Sequence, residues 1–144
     1  MTTIAYHQES KTVAWDSRSS KNNIIATDKS QKMKEVNGVI FWLSGPLSDF
    51  QKFIDIYFGA ACDEFQPECN ALILDKNALY FSGVTEKGEL WKEPVDIDYA
   101  VGSGSNFALA AMDLGKSATE AVEYAKTRDS NTGGSVHSYK ISDK

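Results

Sequence analysis

The chain has 144 residues and a formal net charge of −5, with 42% hydrophobic and 24% charged residues. This length and composition predict one globular domain over residues 1–144, large enough to bury a hydrophobic core. The acidic balance argues against a nucleic-acid partner bound through bulk positive charge. No apolar run is long enough to span a bilayer, so we expect no membrane partner.

The N-terminal residues and the cysteines indicate a cytoplasmic protein. Residues 1–15 lack a basic segment followed by an apolar one, so no secretory signal is predicted. Cys62 and Cys69 would close only a short loop and are interpreted as free thiols in a reducing compartment. His7 and His137 are isolated from other metal-binding residues. We therefore predict neither a metal site nor a cofactor.

The first predicted element is a hairpin at the N-terminus. Residues 2–7 and 12–15 alternate in hydrophobicity as strands do, and residues 9–11 provide the turn. Removal of Met1 would leave Thr2 as the N-terminal residue, with a hydroxyl and a free α-amine. An α-amine has a reference pKa of about 7.7–8.0 and can act as the base that activates such a hydroxyl.

A polar stretch and a second hairpin come next. Residues 17–32 are rich in Ser, Lys, Asn and Asp, which predicts a solvated surface loop. Asn37-Gly38 suits the positive φ angles of a type I′ turn, so residues 34–43 are predicted to form a tight hairpin. Its second arm is continuously apolar, which indicates a strand covered on both faces.

The middle of the chain predicts one helix and then more strands. After the break at residues 44–46, the apolar spacing predicts a helix from Pro46 to about Phe65. Its apolar stripe comprises Leu47, Phe50, Ile54, Tyr57, Phe58 and Ala61. Strands are predicted over residues 70–74 and 78–81, in a further arm through residues 84–91, and over residues 99–101.

The C-terminal third predicts two helices and a last strand. One helix begins near Asn106 and stops at Gly115. The other opens at the capping box of residues 117–120 and stops near residues 128–129, before a strand over residues 135–141. Runs of strands separated from runs of helices predict an α+β layered domain.

Five segments, taken in order, resemble the proteasome β-subunits and the bacterial HslV-type threonine peptidases, which are N-terminal nucleophile hydrolases. The segments are residues 2–4, 14–18, 31–37, 44–45, and the C-terminal third with residues 99–105 and 128–134. The likeness thins between residues 64 and 94. The resemblance implies an α+β fold of the reduced αββα four-layer sandwich type and a threonine endopeptidase of the proteasome or HslV type.

The resemblance also implies roles for individual residues. Thr2 would be the nucleophile, and Lys32 would place a positive charge beside its hydroxyl and favour the deprotonated form. Asp16 would hold Lys32 in place, and the Gly45 N–H would supply the oxyanion hole. The residues that would orient the Thr2 amine are Ser103, Asp129 and Thr132.

A substrate pocket is implied by the same resemblance. Its predicted walls are Ser19, Ser30, Lys34, Leu43 and Leu47. The two leucines suit a hydrophobic substrate side chain. If the Lys34 ammonium reaches the pocket, it favours an acidic side chain and rejects a basic one. If Lys34 points to solvent instead, this preference is absent.

The chain departs from the family in its helices, and this leaves partners and function open. The family has two helices between the segment that matches Gly45 and the next strand pair, whereas one is predicted here. The implied partners are a peptide or unfolded protein substrate and a homo-oligomeric ring, with an ATPase unfoldase as a further candidate. Two alternative functions remain: a non-catalytic structural or assembly subunit, and an amidase acting on a small amide.

Overall fold

The computed structural model of the chain describes residues 2–63 and 65–142. Over these residues the chain forms eleven β-strands, three α-helices and one short 3-10 helix, which is an α+β fold. Cys62 and Cys69 are free thiols, as predicted. In the described part of the chain, no helix is both long and apolar enough to cross a membrane.

A four-stranded antiparallel sheet contains the first and the last strand of the described chain. Its strands are β1 (Ile4–His7), β2 (Thr12–Trp15), β10 (Tyr99–Val101) and β11 (His137–Lys140), in the order β10-β1-β2-β11. β1 and β2 pair from Ile4–Trp15 to His7–Thr12, which confirms the predicted first hairpin. The sheet therefore brings the residue before β1 close to the residue after β2.

The second large sheet is a five-stranded antiparallel meander in the order β5-β6-β7-β8-β9. Its strands are β5 (Met33–Val36), β6 (Val39–Ser44), β7 (Asn70–Asp75), β8 (Ala78–Val84) and β9 (Leu90–Pro94). Asn37 and Gly38 have φ angles of 52° and 79°, which confirms the predicted tight turn. Every residue of β6 is buried, as its apolar run indicated.

The prediction of a loop over residues 17–32 is wrong in part. This segment contains a small hairpin made of β3 (Ser19–Lys21) and β4 (Ile24–Thr27). Asn22 and Asn23 form its turn with φ angles of 53° and 64°, a conformation that asparagine tolerates. Because β4 is exposed along its whole length, its sequence lacks the alternation that would have marked it as a strand.

The helices are α1 (Phe50–Tyr57), α2 (Ser105–Asp113) and α3 (Ala118–Lys126). The long helix predicted from residue 46 to about residue 65 is wrong at both ends. A 3-10 helix, Leu47–Asp49, precedes α1, and Gly59 with a φ of 105° follows its end. The capping box of α3 is confirmed, because the Ser117 hydroxyl accepts from the Glu120 N–H and the Glu120 side chain accepts from the Ser117 N–H.

Three buried clusters connect these elements. The first joins the two large sheets and includes Ile4 and Trp15 from one and Trp42 from the other. The second packs α1 against β6 and β7. The third packs α2 and α3 against β1 and β2, where Ala5 and Ala14 allow a close approach. The residues around the start of β1 therefore lie in a well-packed part of the molecule.

Candidate active site

Thr2 lies directly before β1, and only 1% of its surface is exposed. Its hydroxyl oxygen, Oγ1, donates to Asp16 Oδ1 at 2.5 Å and accepts from Lys32 Nζ at 2.5 Å. Lys32 Nζ also donates to Asp16 Oδ1 at 2.7 Å. The structure thus brings a hydroxyl, an ammonium and a carboxylate into mutual contact, although these residues are far apart in the sequence.

Asp16 is fully buried, and its carboxylate accepts five hydrogen bonds. Besides Thr2 and Lys32, the donors are the backbone N–H groups of Thr3, Arg18 and Gly133, at 3.1, 3.3 and 2.9 Å. This set of donors offsets the cost of removing a charged group from water. It also fixes the direction from which Asp16 meets Lys32 and Thr2.

Burial changes the acidity of Lys32, whose side chain is only 4% exposed. Removal from water lowers the pKa of the Lys32 ammonium, while the adjacent Asp16 carboxylate opposes that lowering in part. Lys32 therefore exchanges its proton closer to neutral pH than a solvated lysine does. An ammonium this close to the Thr2 hydroxyl favours the deprotonated alkoxide form.

A second set of hydroxyls approaches Thr2 from the opposite end of the chain. Asp129 Oδ2 accepts from Ser103 Oγ and from Thr132 Oγ1, both at 2.6 Å, and Ser103 Oγ lies 3.4 Å from the Thr2 carbonyl oxygen. Partial burial raises the pKa of Asp129, but the hydrogen bonds from Ser103 and Thr132 outweigh it and hold that pKa below its ordinary value. Asp129 is thus favoured in its anionic form beside the Thr2 backbone.

Thr3 belongs to this arrangement, although the sequence reasoning missed it. Its side chain is fully buried, and its hydroxyl lies 2.7 Å from that of Thr132. Thr3 therefore connects the Asp129 set to the Asp16 set, since its N–H donates to Asp16. The available signal was a polar residue directly before an apolar strand, which does not by itself indicate a partner so distant in the sequence.

Two glycines allow residues 102–104 to approach Thr2 and Thr3. A Cβ on Gly102 would lie 2.0 Å from the Thr2 carbonyl oxygen, and Gly102 has a φ of 101°. A Cβ on Gly104 would lie 2.0 Å from the Thr3 hydroxyl. Both distances are far below van der Waals contact, so this segment can reach the N-terminal residues only with glycine at these positions.

Gly45 and Thr2 line the same cavity, and Gly45 is also constrained to be glycine. Its φ is 125°, and a Cβ would lie 2.8 Å from both the Cys69 Cα and the Glu68 carbonyl oxygen. Glycine is therefore required at this position by the close approach of residues 68 and 69, which do not line the cavity.

The cavity next to Thr2 and Gly45 has a volume of about 610 Å³. Four of the predicted pocket residues line it, namely Ser19, Ser30, Leu43 and Leu47. Residues that the sequence reasoning did not assign also line it, including Arg18, Lys21, Phe50 and Asn131. In residues 2–63 and 65–142, no group of three or more His, Cys, Asp or Glu side chains is arranged to hold a metal ion.

The prediction that Lys34 lines the pocket needs correction. Lys34 is exposed and lies outside the cavity wall. Lys34 is on β5, an edge strand of its sheet, and pairs with Phe41 on β6. The Lys32 carbonyl, in contrast, accepts a hydrogen bond from the N–H of Leu43, which lines the cavity. Lys34 is therefore two residue pairs beyond Lys32 along the β5–β6 ladder, and the acidic preference argued from it has no structural basis.

Comparisons with known proteins give a likeness of fold. No protein-family model and no curated protein sequence matches the chain. Among solved structures, Thiobacillus denitrificans BPH in complex with epoxomicin matches with a TM-score of 0.72 and 16% identity, over 99% of this chain and 100% of that one. A eukaryotic HslV from Trypanosoma brucei matches with a TM-score of 0.72 and 17% identity, over 96% and 98% of the two chains.

A second structure of Thiobacillus denitrificans BPH matches with a TM-score of 0.71 and 16% identity, over the full length of both chains. The resemblance to HslV-type proteins is thereby confirmed as a likeness of fold. It extends through residues 64–94, where the sequence likeness thins, because the matches cover nearly the whole chain.

Proposed function

We propose that the chain is a threonine peptidase that hydrolyses peptide bonds with Thr2 after removal of Met1. The contact of the Thr2 hydroxyl with both Lys32 and Asp16, next to a cavity of about 610 Å³, carries this proposal. The likeness to HslV supports it at the level of the fold. The three buried clusters support the further inference that the layers are stacked as a reduced αββα sandwich.

The first chemical step is attack of Thr2 Oγ1 on the carbonyl carbon of the substrate. The α-amine of Thr2, freed by removal of Met1, takes the hydroxyl proton directly or through a water molecule. Lys32 stabilises the developing negative charge on Oγ1, and Asp16 keeps Lys32 charged and in place. Met1 lies outside the described residues, so its removal is an element of the proposal.

The later steps complete a two-stage hydrolysis. The Gly45 N–H stabilises the oxyanion of the tetrahedral intermediate, whose collapse breaks the peptide bond. The protonated α-amine then gives its proton to the leaving amine, and an ester to Thr2 Oγ1 remains. Water, deprotonated by the same amine, hydrolyses this ester and restores the hydroxyl. Ser103, Asp129 and Thr132 orient the amine throughout, because the Ser103 hydroxyl contacts the Thr2 carbonyl oxygen and Asp129 accepts from both Ser103 and Thr132.

The catalytic set favours a peptidase over the two alternatives. A non-catalytic subunit would have no need of a buried Lys32–Asp16 pair in contact with a hydroxyl, since such a pair is costly to bury. A small-amide amidase would be served by a smaller cavity. We infer that Ser19, Ser30, Leu43 and Leu47 contact the substrate side chain next to the cleaved bond.

The test of this function compares three substrates on the purified chain after Met1 removal. Fluorogenic peptides and an unfolded protein should be hydrolysed, whereas a small amide such as acetamide should not. Hydrolysis of the small amide alone would instead identify an amidase. Failure to hydrolyse any of the three, with the fold intact, would leave the role of a non-catalytic subunit.

The pH dependence of kcat/KM should be bell-shaped. The α-amine must be neutral to act as a base, so activity should rise as pH increases through a value near its reference pKa of about 7.7–8.0. Lys32 must be charged, so activity should fall as pH increases through the pKa of Lys32, which burial places below that of a solvated lysine. A profile that has not fallen at the reference lysine pKa of about 10.4 would show that the charge on Lys32 is not needed.

We further propose that the peptidase is a homo-oligomeric ring, with Thr2 facing an enclosed chamber. The fold likeness to HslV supports this proposal. An enclosed chamber would also prevent the peptidase site from cleaving other folded proteins around it. Native mass spectrometry at micromolar concentration should show a closed oligomer. A monomer or a simple dimer as the only species would contradict the ring. An ATPase unfoldase that feeds this chamber is a candidate partner of the assembled ring.

A further inference from the structure

The cavity beside Thr2 has an unusual charge for a chain whose net charge is −5. Among the described residues that line it, three carry a positive charge and none carries a carboxylate. The three are Arg18, Lys21 and Lys32. A concave surface lined by one sign of charge concentrates the field at its mouth and attracts groups of the opposite sign.

Two of the three cations are each paired with a carboxylate. Lys32 is paired with the buried Asp16 at 2.7 Å, and Arg18 with Asp28 at 2.8 Å. Neither carboxylate lines the cavity, whereas both cations do. Each pair therefore contributes a cation to the cavity wall but little net charge to the region.

Lys21 differs from these two because it has no acidic partner among the residues that the structure describes. It is the last residue of β3 and is exposed to solvent. The turn at Asn22 and Asn23, both at positive φ, reverses the chain directly after it, and both asparagines also line the cavity. The hairpin thus contributes to the cavity wall an exposed lysine that has no acidic partner among the described residues.

We propose that Lys21 makes this cavity select peptides that carry an acidic side chain, Asp or Glu, close to the cleaved bond, and reject those with a basic one. The inference rests on the proposed peptidase function and names the substrate class of the same site. It assigns charge selection to the β3–β4 hairpin, a segment that the sequence presented as a solvated loop. An acidic side chain approaching Thr2 meets an attractive charge, and a basic side chain meets a repulsive one.

The test uses sets of three peptides that differ at one position, which carries Glu, its neutral counterpart Gln, or Lys. The position is moved in turn through the residues that precede the cleaved bond. At one position or more, kcat/KM for the Glu peptide should exceed that for the Gln peptide by about two- to fivefold, as for a solvent-exposed charge pair. The Lys peptide should be the slowest, and added salt should reduce the differences.

Lys21→Gln should bring the Glu-to-Gln ratio close to one, and Lys21→Glu should invert the preference. Lys29→Gln is the matched control, because Lys29 is an exposed lysine nearby in the chain that does not line the cavity. The Lys29→Gln variant should have the same Glu-to-Gln ratio of kcat/KM as the unchanged protein. A ratio that is the same in Lys21→Gln as in the unchanged protein would overturn the inference.

Binding of the same peptides to the Thr2→Ala variant, followed by fluorescence anisotropy, separates this inference from the proposed function. Affinity should follow the order Glu, Gln, Lys without any hydrolysis. If no peptide is cleaved by the unchanged protein, the proposed function is wrong and the affinities alone decide the inference. Equal affinity for the three peptides at every position overturns the inference, whether or not cleavage occurs.

Discussion

Thr2→Ala should lower kcat/KM for peptide hydrolysis by about 1,000-fold or more, because it removes the proposed nucleophile and leaves only binding and the oxyanion donor. Thr2→Ser should retain part of the activity, since serine keeps both a hydroxyl and an α-amine on the N-terminal residue. The measurement is steady-state hydrolysis of one fluorogenic peptide by proteins whose removal of Met1 has been checked by mass.

Thr119→Ala serves as the matched control for that loss. Thr119 is exposed on α3 and does not line the cavity. The activity of the Thr119→Ala variant should therefore equal that of the unchanged protein. Circular dichroism should show the same fold in all three variants. Thr2→Ala activity within a few-fold of the unchanged protein would exclude Thr2 as the nucleophile.

Asp16→Ala should produce the largest loss of stability of any single change at the site. It removes a fully buried carboxylate with five donors and leaves Lys32, 4% exposed, without that counter-ion. Breaking a buried pair by removing one partner lowers the free energy of unfolding by about 3–5 kcal/mol. Activity should be lost as well, because Lys32 is then neither held in place nor favoured in its charged form.

The control for Asp16→Ala is Asp28→Ala, which removes the partner of Arg18 from a solvent-exposed pair. Its effect on stability should be much smaller, since water replaces the lost partner of an exposed charge. Urea denaturation of the two variants measures the difference. Equal midpoints and slopes for both variants would show that Asp16 does not carry a buried charge pair in solution.

The parts of the fold that could be predicted from sequence are those with a local cause. The turn at Asn37-Gly38 and the capping box at Ser117 depend on neighbouring residues only, and both are present. The helix after Pro46 was predicted too long because its apolar spacing continues past the point where the chain turns. At Gly59 the positive φ marks the end of that helix, which the periodicity of side chains does not report.

The candidate site shows the same division between local and distant causes. Thr2, Asp16 and Lys32 were assigned through a resemblance of short segments, and the structure places them in contact. The contact between Thr3 and Thr132 could not be predicted, because it joins residues 129 positions apart. Lys34 was misplaced for a related reason, since a position along a sheet depends on the register of its partner strand.

The central claim is that the α-amine of Thr2 is the catalytic base, and comparison of the same chain with and without Met1 tests it most directly. Both forms keep the Thr2 hydroxyl, Lys32 and Asp16, but only the form without Met1 has a free amine on Thr2. Intact mass identifies each form, and hydrolysis of one fluorogenic peptide is measured at equal concentration. The account predicts hydrolysis by the form without Met1 and none above background by the form that retains it. Equal activity of the two forms would contradict the account.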